Sequence, residues 1–368
     1  MSVSDTVGTV AVIAPYDAGN AYPLAFARHG WRTVAVVPEH RLRPPAYRNA
    51  AVAAGYTGTV VHRGVRQTVK ALRALGVSAV VAAGAGGVEP AERIAWQLGL
   101  PGADPASSPL RYDRGAQAAR LSRLGIPALR GVRATSPAAA VAWVRACPLP
   151  GYLLAPATAG TPVEPVECAD ALQVVAAWQA VRDAAVRYSG SPDLVLTERP
   201  PPGRFTVRTV TRPDPDGRPE HVVTALRARP PSYRTAQVPS SRTVQLLRHR
   251  TARVLDALGV VCGPATTRFA LGADDEPLLV DSLAAGSAPH VPLSPGQSMT
   301  EWPPPATARP ADVPPTVTRN ARILELRAPR EEPSAPSRAA RLAAPRTKPV
   351  QVEITPRFRD ACQQRTDM

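Results

Sequence analysis

Val254-Leu-Asp-Ala-Leu-Gly-Val-Val-Cys-Gly-Pro-Ala265 decides how the rest of the chain is read. Leu247, Thr251, Val254 and Leu258 share one face of a helix, by their spacing of four, three and four. Gly259 closes that helix, because glycine takes a positive φ without steric cost. Downstream, residues 267–271 and 277–283 are apolar runs on either side of Asp274-Asp275, and they predict a strand pair. Upstream, residues 204–210 alternate as a half-buried strand does. Pro213-Asp-Pro-Asp-Gly217 is turn chemistry, and residues 221–228 are the return strand.

The first hundred residues have another rhythm. Short β-branched runs at 8–14, 31–37, 57–62 and 77–83 alternate with helical patterns at 20–30 and 65–75 and with one ending at Leu98. Strand–helix alternation predicts a parallel sheet covered on both faces. Gly84-Ala-Gly-Gly87 after the fourth run reads as a loop at the carboxyl ends of the strands, where such sheets bind ligands. It is not a dinucleotide fingerprint, so tight-turn packing is the reading adopted. Between the two regions come a helix at 112–124, strands at 151–155 and 163–168 around Ala157-Thr-Ala-Gly-Thr-Pro162, and a helix with Val174, Trp178, Val181 and Ala185 on one face. Residues 194–198 form a further strand. The expected organisation is α/β: a Rossmann-like domain at 1–105, two α+β subdomains at 106–187 and 188–300, and a tail at 301–368. The tail holds 12 of the 43 prolines and reads as mostly disordered, with one strand-like run at 321–326.

Composition narrows the function. The chain has 368 residues and a net charge of +15, carried by arginine, since Lys70 and Lys348 are the only lysines. The arginines are dispersed, which favours a solvated basic surface over a nucleic-acid footprint, and no nucleic-acid-binding motif is present. Four separated cysteines give neither a zinc site nor a disulfide framework. No apolar run is long enough to span a bilayer and no leader is visible, so the expected location is the cytoplasm, without a membrane partner.

The order of these elements resembles the ATP-grasp superfamily, in particular the carboxylate–amine ligases of the L-amino acid ligase type. The stretches that carry the resemblance are Leu98-Gly-Leu-Pro-Gly102 with Arg111-Tyr-Asp-Arg114 and Leu124-Gly-Ile-Pro127, then Tyr152-Leu-Leu-Ala-Pro156, then Leu196-Thr-Glu198 with Pro202-Gly203, and the Val254–Ala265 stretch. The resemblance implies a pre-ATP-grasp domain followed by a two-subdomain ATP-grasp domain, with ATP and magnesium as cofactors. It assigns a phosphate contact to Arg114, a phosphate loop to the segment around Gly160, a ribose contact to Glu198 and a magnesium ligand to Asp281.

The departures fall on the residues that carry the chemistry. Arginine replaces a phosphate lysine at Arg114, and Ala155 stands where the second lysine belongs. Pro162 and Pro165 remove N–H donors from the phosphate loop, while Glu164 and Glu167 add negative charge. On the terminal strands Arg268 replaces a metal-binding acid, Leu283 an asparagine and Ala285 an arginine. An Arg268–Asp281 ion pair is the expected substitute for the metal. The sequence therefore predicts a degenerate ligase relative acting as a binding or assembly partner, with a small carboxylate or amine, or a protein, as its ligand. The alternatives are an active ligase with rewired residues and a polyanion binder. No catalytic residue is assigned.

Overall fold

The computed structural model describes residues 7–16, 19–20, 22–52, 55–214, 216–229, 240–272 and 275–285. The readings placed on the tail and on Asp274 lie outside them.

The opening region forms the expected parallel sheet. Strands β1 (Gly8–Ile13), β2 (Trp31–Pro38), β3 (Gly58–His62) and β4 (Val77–Ala82) lie in the order β3-β2-β1-β4, all parallel. Val10 and Val12 of β1 face Tyr22 and Phe26 of helix α1 (Tyr22–Ala27). Ala11 and Ile13 face Val69 and Leu72 of α2 (Val65–Ala74) and Val88 and Ile94 of α3 (Ala85–Leu98). Burial on both faces explains why β1, β2 and β4 read as apolar runs, while the edge strand β3 stays partly exposed.

Two readings of this region change. The first helix is shorter than expected, Tyr22–Ala27 within the 20–30 pattern. The glycine segment is no loop: α3 starts at Ala85, so Gly86 and Gly87 lie in its first turn. A Cβ on Gly87 would sit 2.7 Å from the carbonyl oxygen of Ile13, so this glycine lets the helix close on β1.

The rest of the described chain builds two antiparallel sheets. The middle sheet has the order β5-β8-β6-β7, from β5 (Gly131–Ala134), β6 (Tyr152–Pro156), β7 (Val166–Cys168) and β8 (Leu194–Glu198). Helices α5 (Pro137–Ala146) and α6 (Ala171–Ser189) cover it, and Val174, Trp178, Val181 and Ala185 are the buried positions of α6. Sequence reading placed a subdomain boundary at 187/188. Strand β8 lies between β5 and β6, so the middle sheet continues to Glu198.

The third sheet has the order β10-β9-β11-β12, from β9 (Arg204–Pro213), β10 (Pro219–Arg229), β11 (Gly263–Leu271) and β12 (Pro277–Leu283). Helix α7 (Ser241–Ala257) lays Leu247, Val254 and Leu255 on Val207, Phe269 and Leu279. Burying each such side chain is worth about 1.5–3 kcal/mol. Helix α4 (Arg114–Arg123) bridges to this sheet. The Gln117 side chain donates to Ser282 O (2.6 Å) and accepts from Ser282 N (3.0 Å), supplying the edge of β12 with an amide partner. No helix among the described residues is long and apolar enough to cross a membrane.

Candidate functional site

Three pieces of backbone converge on Asp281. Strand β12 carries it opposite Arg268 of β11 in the antiparallel register. The start of α4 brings Arg114, oriented because Asp113 caps the helix by accepting from Ala116 N (2.8 Å). The end of β6 and the loop after it bring the carbonyls of Pro156 and Thr158.

Asp281 is 2% exposed and Arg114 8%. Arg268 Nε donates to Asp281 Oδ1 (2.6 Å), and its Nη2 donates to Oδ2. Arg114 Nε donates to the same Oδ2 at 2.8 Å. Its Nη1 donates to Thr158 O (3.0 Å) and to Pro156 O. One carboxylate thus takes two guanidiniums, and one of these also holds the loop. The expected Arg268–Asp281 pair is formed, but the part of Arg114 was not foreseen. The resemblance makes Arg114 a phosphate contact, whereas its guanidinium is buried and already bonded to protein acceptors.

The electrostatics follow from this packing. Burial alone would push the Asp281 carboxyl up. The charges and hydrogen bonds of Arg268 and Arg114 outweigh it and hold Asp281 well below the usual carboxylate range. Burial pulls the Arg114 guanidinium down, against the attraction of Asp281. Arg268 is raised, chiefly by Asp281, with Glu164 of the loop adding to the effect.

The loop around Gly160 is packed from beneath. Ala157 N donates to Asp193 O (2.8 Å) and Ala159 N to Tyr112 O (2.7 Å), so two of its N–H groups serve the fold. Ala159, Leu283 and Ala285 belong to the apolar core of the first sheet. Ala155, where the resemblance expects a second lysine, is buried with Ala157 and Val195. Gly160 has φ +71°, and a Cβ there would overlap Leu283 Cδ2. Gly160→Ala therefore costs about 1–3 kcal/mol, from left-handed backbone strain plus the clash. Leu283→Ala in the same chain should remove the clash but not the strain, so a chemical-denaturation cycle should show coupling between the two sites. Strict additivity would place Leu283 away from the loop.

Glu198 ends β8 and turns to Arg130, accepting from its backbone N and from its Nε, each at 2.9 Å. Glu167 pairs with Arg204 at 3.5 Å. Among the described residues the histidines bring no ligand set together: His62 meets Thr68, and His221 lies between Thr211 and Asp256.

The donor set does not fit magnesium. Magnesium takes near-octahedral oxygen ligands. Here the one carboxylate at the terminal strands has both oxygens on guanidiniums, and its neighbours are Arg268 and Leu283. No group of three His, Cys, Asp or Glu able to hold a metal ion occurs among the described residues.

A second buried ion pair went unseen in the sequence. Arg111 is 1% exposed and donates through Nε and Nη2 to the two oxygens of Glu92, through Nη2 also to Asp104 O (2.6 Å), and through Nη1 to Leu258 O (3.2 Å). Ser108 is fully buried and donates to Glu92. The available signal was Glu92 itself, a carboxylate on the apolar face that Val88, Ala91 and Ala95 define on α3.

No family model and no curated protein matches the sequence. Solved structures do match the fold. An L-amino acid ligase from Bacillus licheniformis aligns with a TM-score of 0.56 at 14% identity, over 76% of this chain and 67% of the ligase. Biotin carboxylase from Campylobacter jejuni, solved as a β-γ-ATP complex, gives 0.57 at 12% identity, over 82% of this chain and 72% of its own. An N5-carboxyaminoimidazole synthase from Aspergillus clavatus, solved with ADP and its aminoimidazole ribonucleotide, gives 0.57 at 15% identity, over 77% of this chain and 72% of its own.

Proposed function

We propose that this chain, which has the ATP-grasp fold, is a degenerate relative of ATP-dependent carboxylate–amine ligases. On this reading the parallel sheet is the pre-ATP-grasp domain and the two antiparallel sheets are the ATP-grasp subdomains. The protein acts as a binding or assembly partner, for a small carboxylate or amine or for another protein. Asp281 carries the proposal. A carboxylate that two guanidiniums already neutralise offers a divalent cation neither charge nor a free oxygen, and the local sum of charge is positive. The loop that would cradle phosphates agrees, since Arg114 holds its carbonyls and Gly160 lies against Leu283.

Thermal melting with ATP, with and without magnesium, tests the reading. A ligand at one hundred times its Kd stabilises by about 2.7 kcal/mol, a shift of several degrees for a chain of this size. The expected result is no shift under either condition, and no ADP release with pools of amino acids. A magnesium-dependent shift, or ADP release that requires an amino acid, would replace this reading with an active ligase whose phosphates rest on Arg114 and Arg268.

A further inference from the structure

Helices α2 and α3 leave an open groove of about 540 Å³ on their solvent side, lined by Arg66, Val69, Lys70, Arg73, Trp96 and Gln97. Arg66, Lys70 and Arg73 follow the i, i+4, i+7 spacing of one helix face, a row about 10 Å long. Arg73 is anchored by donating to Gln97 O at 2.7 Å. No carboxylate among the described residues pairs with Arg66 or Lys70, and none lines the groove. Trp96 stands in the wall 66% exposed, while Val69 supplies an apolar floor. An exposed tryptophan offers a large apolar area to a partner and is the residue type most enriched where interfaces hold their energy.

We infer that this groove docks an acidic helical segment of a partner protein. An apolar side chain of that segment lies on Val69 and Trp96, and its carboxylates, at the same three-and-four spacing, meet the three cations. Charge complementarity selects the sign. The single aromatic selects peptide over single-stranded nucleic acid, whose successive bases need a row of stacking rings. The inference rests on the groove and not on the state of the nucleotide site, so either can fail without the other.

The probe is a fluorescein-labelled synthetic helix of Glu, Leu and Ala with its glutamates at i, i+4 spacing, followed by anisotropy against the full chain. Arg66→Glu with Lys70→Glu should weaken binding about tenfold or more, and Trp96→Ala about tenfold, at unchanged melting temperature. The control reversal Arg145→Glu with Arg182→Glu, exposed on α5 and α6, should leave binding within about twofold. Equal losses in groove and control variants would reduce the effect to attraction by a basic chain and overturn the proposal, as would a probe that fails to bind. Tighter binding of an oligothymidylate with the same variant pattern would make the groove a nucleic-acid site and overturn it too.

Discussion

Asp281→Ala should lower the stability of the chain by about 3–5 kcal/mol, because it leaves a buried guanidinium without its counter-charge. For a chain of this size that is on the order of 10 °C in Tm. The orphan is Arg114, which is 8% exposed and bound through Nη1 to the Pro156 and Thr158 carbonyls. Arg268, with its side chain 34% exposed, can turn to water and loses less. Adding Arg114→Met should recover part of the loss by removing the buried charge, though the two loop carbonyls then lack their donor. The acid limb gives an independent reading. The native Asp281 carboxyl lies below its ordinary value of 3.8. Its contribution is therefore complete above that value and is lost as pH falls below it, while the variant has nothing there to lose. Urea melts at neutral pH and at about pH 3 should show the wild-type advantage shrinking in acid. A variant within about 1 kcal/mol of wild type at neutral pH would show that the pairing leaves the fold unsupported.

What the sequence shows and what it hides separate along physical lines. The buried faces of α6 and α7 were legible because helical periodicity is a local property, and Val174, Trp178, Val181 and Ala185 are buried as spaced. Strands β1, β2 and β4 were legible because burial on both faces gives apolar runs. Helix α5 and strand β5 were missed. Residues 137–146 are rich in alanine and valine, so their period is faint, although Ser136 capping onto Ala139 N with Pro137 at the first helical position was a readable start signal. At the candidate site, the residue types that depart from the resemblance can be read one by one, and the Arg268–Asp281 pair follows from adjacent strands. Arg114 reaching Asp281 joins positions 167 residues apart, and no local pattern reports that.

Arg111 and Glu92 make the same physics testable away from that site. Glu92→Ala should also cost about 3–5 kcal/mol, since Arg111 is left charged at 1% exposure. Ser108→Ala, which removes one neutral donor from the same carboxylate, should cost about 1 kcal/mol. Both effects should hardly change with salt, because screening acts weakly on buried pairs. Distance along the chain makes the first result diagnostic. Arg111 ties α3 of the parallel sheet to Asp104 O, and through Leu258 O to the end of α7 beneath the third sheet. If the guanidinium is a shared bolt, hydrogen exchange in the Glu92 variant should speed up in α3 and also at residues 258–260, far away in sequence. Faster exchange confined to α3 would mean that each sheet holds its own end and that Arg111 only fills space between them. The expected spread to both places follows from geometry, since one planar group cannot keep its bonds to Leu258 and Asp104 after losing the carboxylate that orients it.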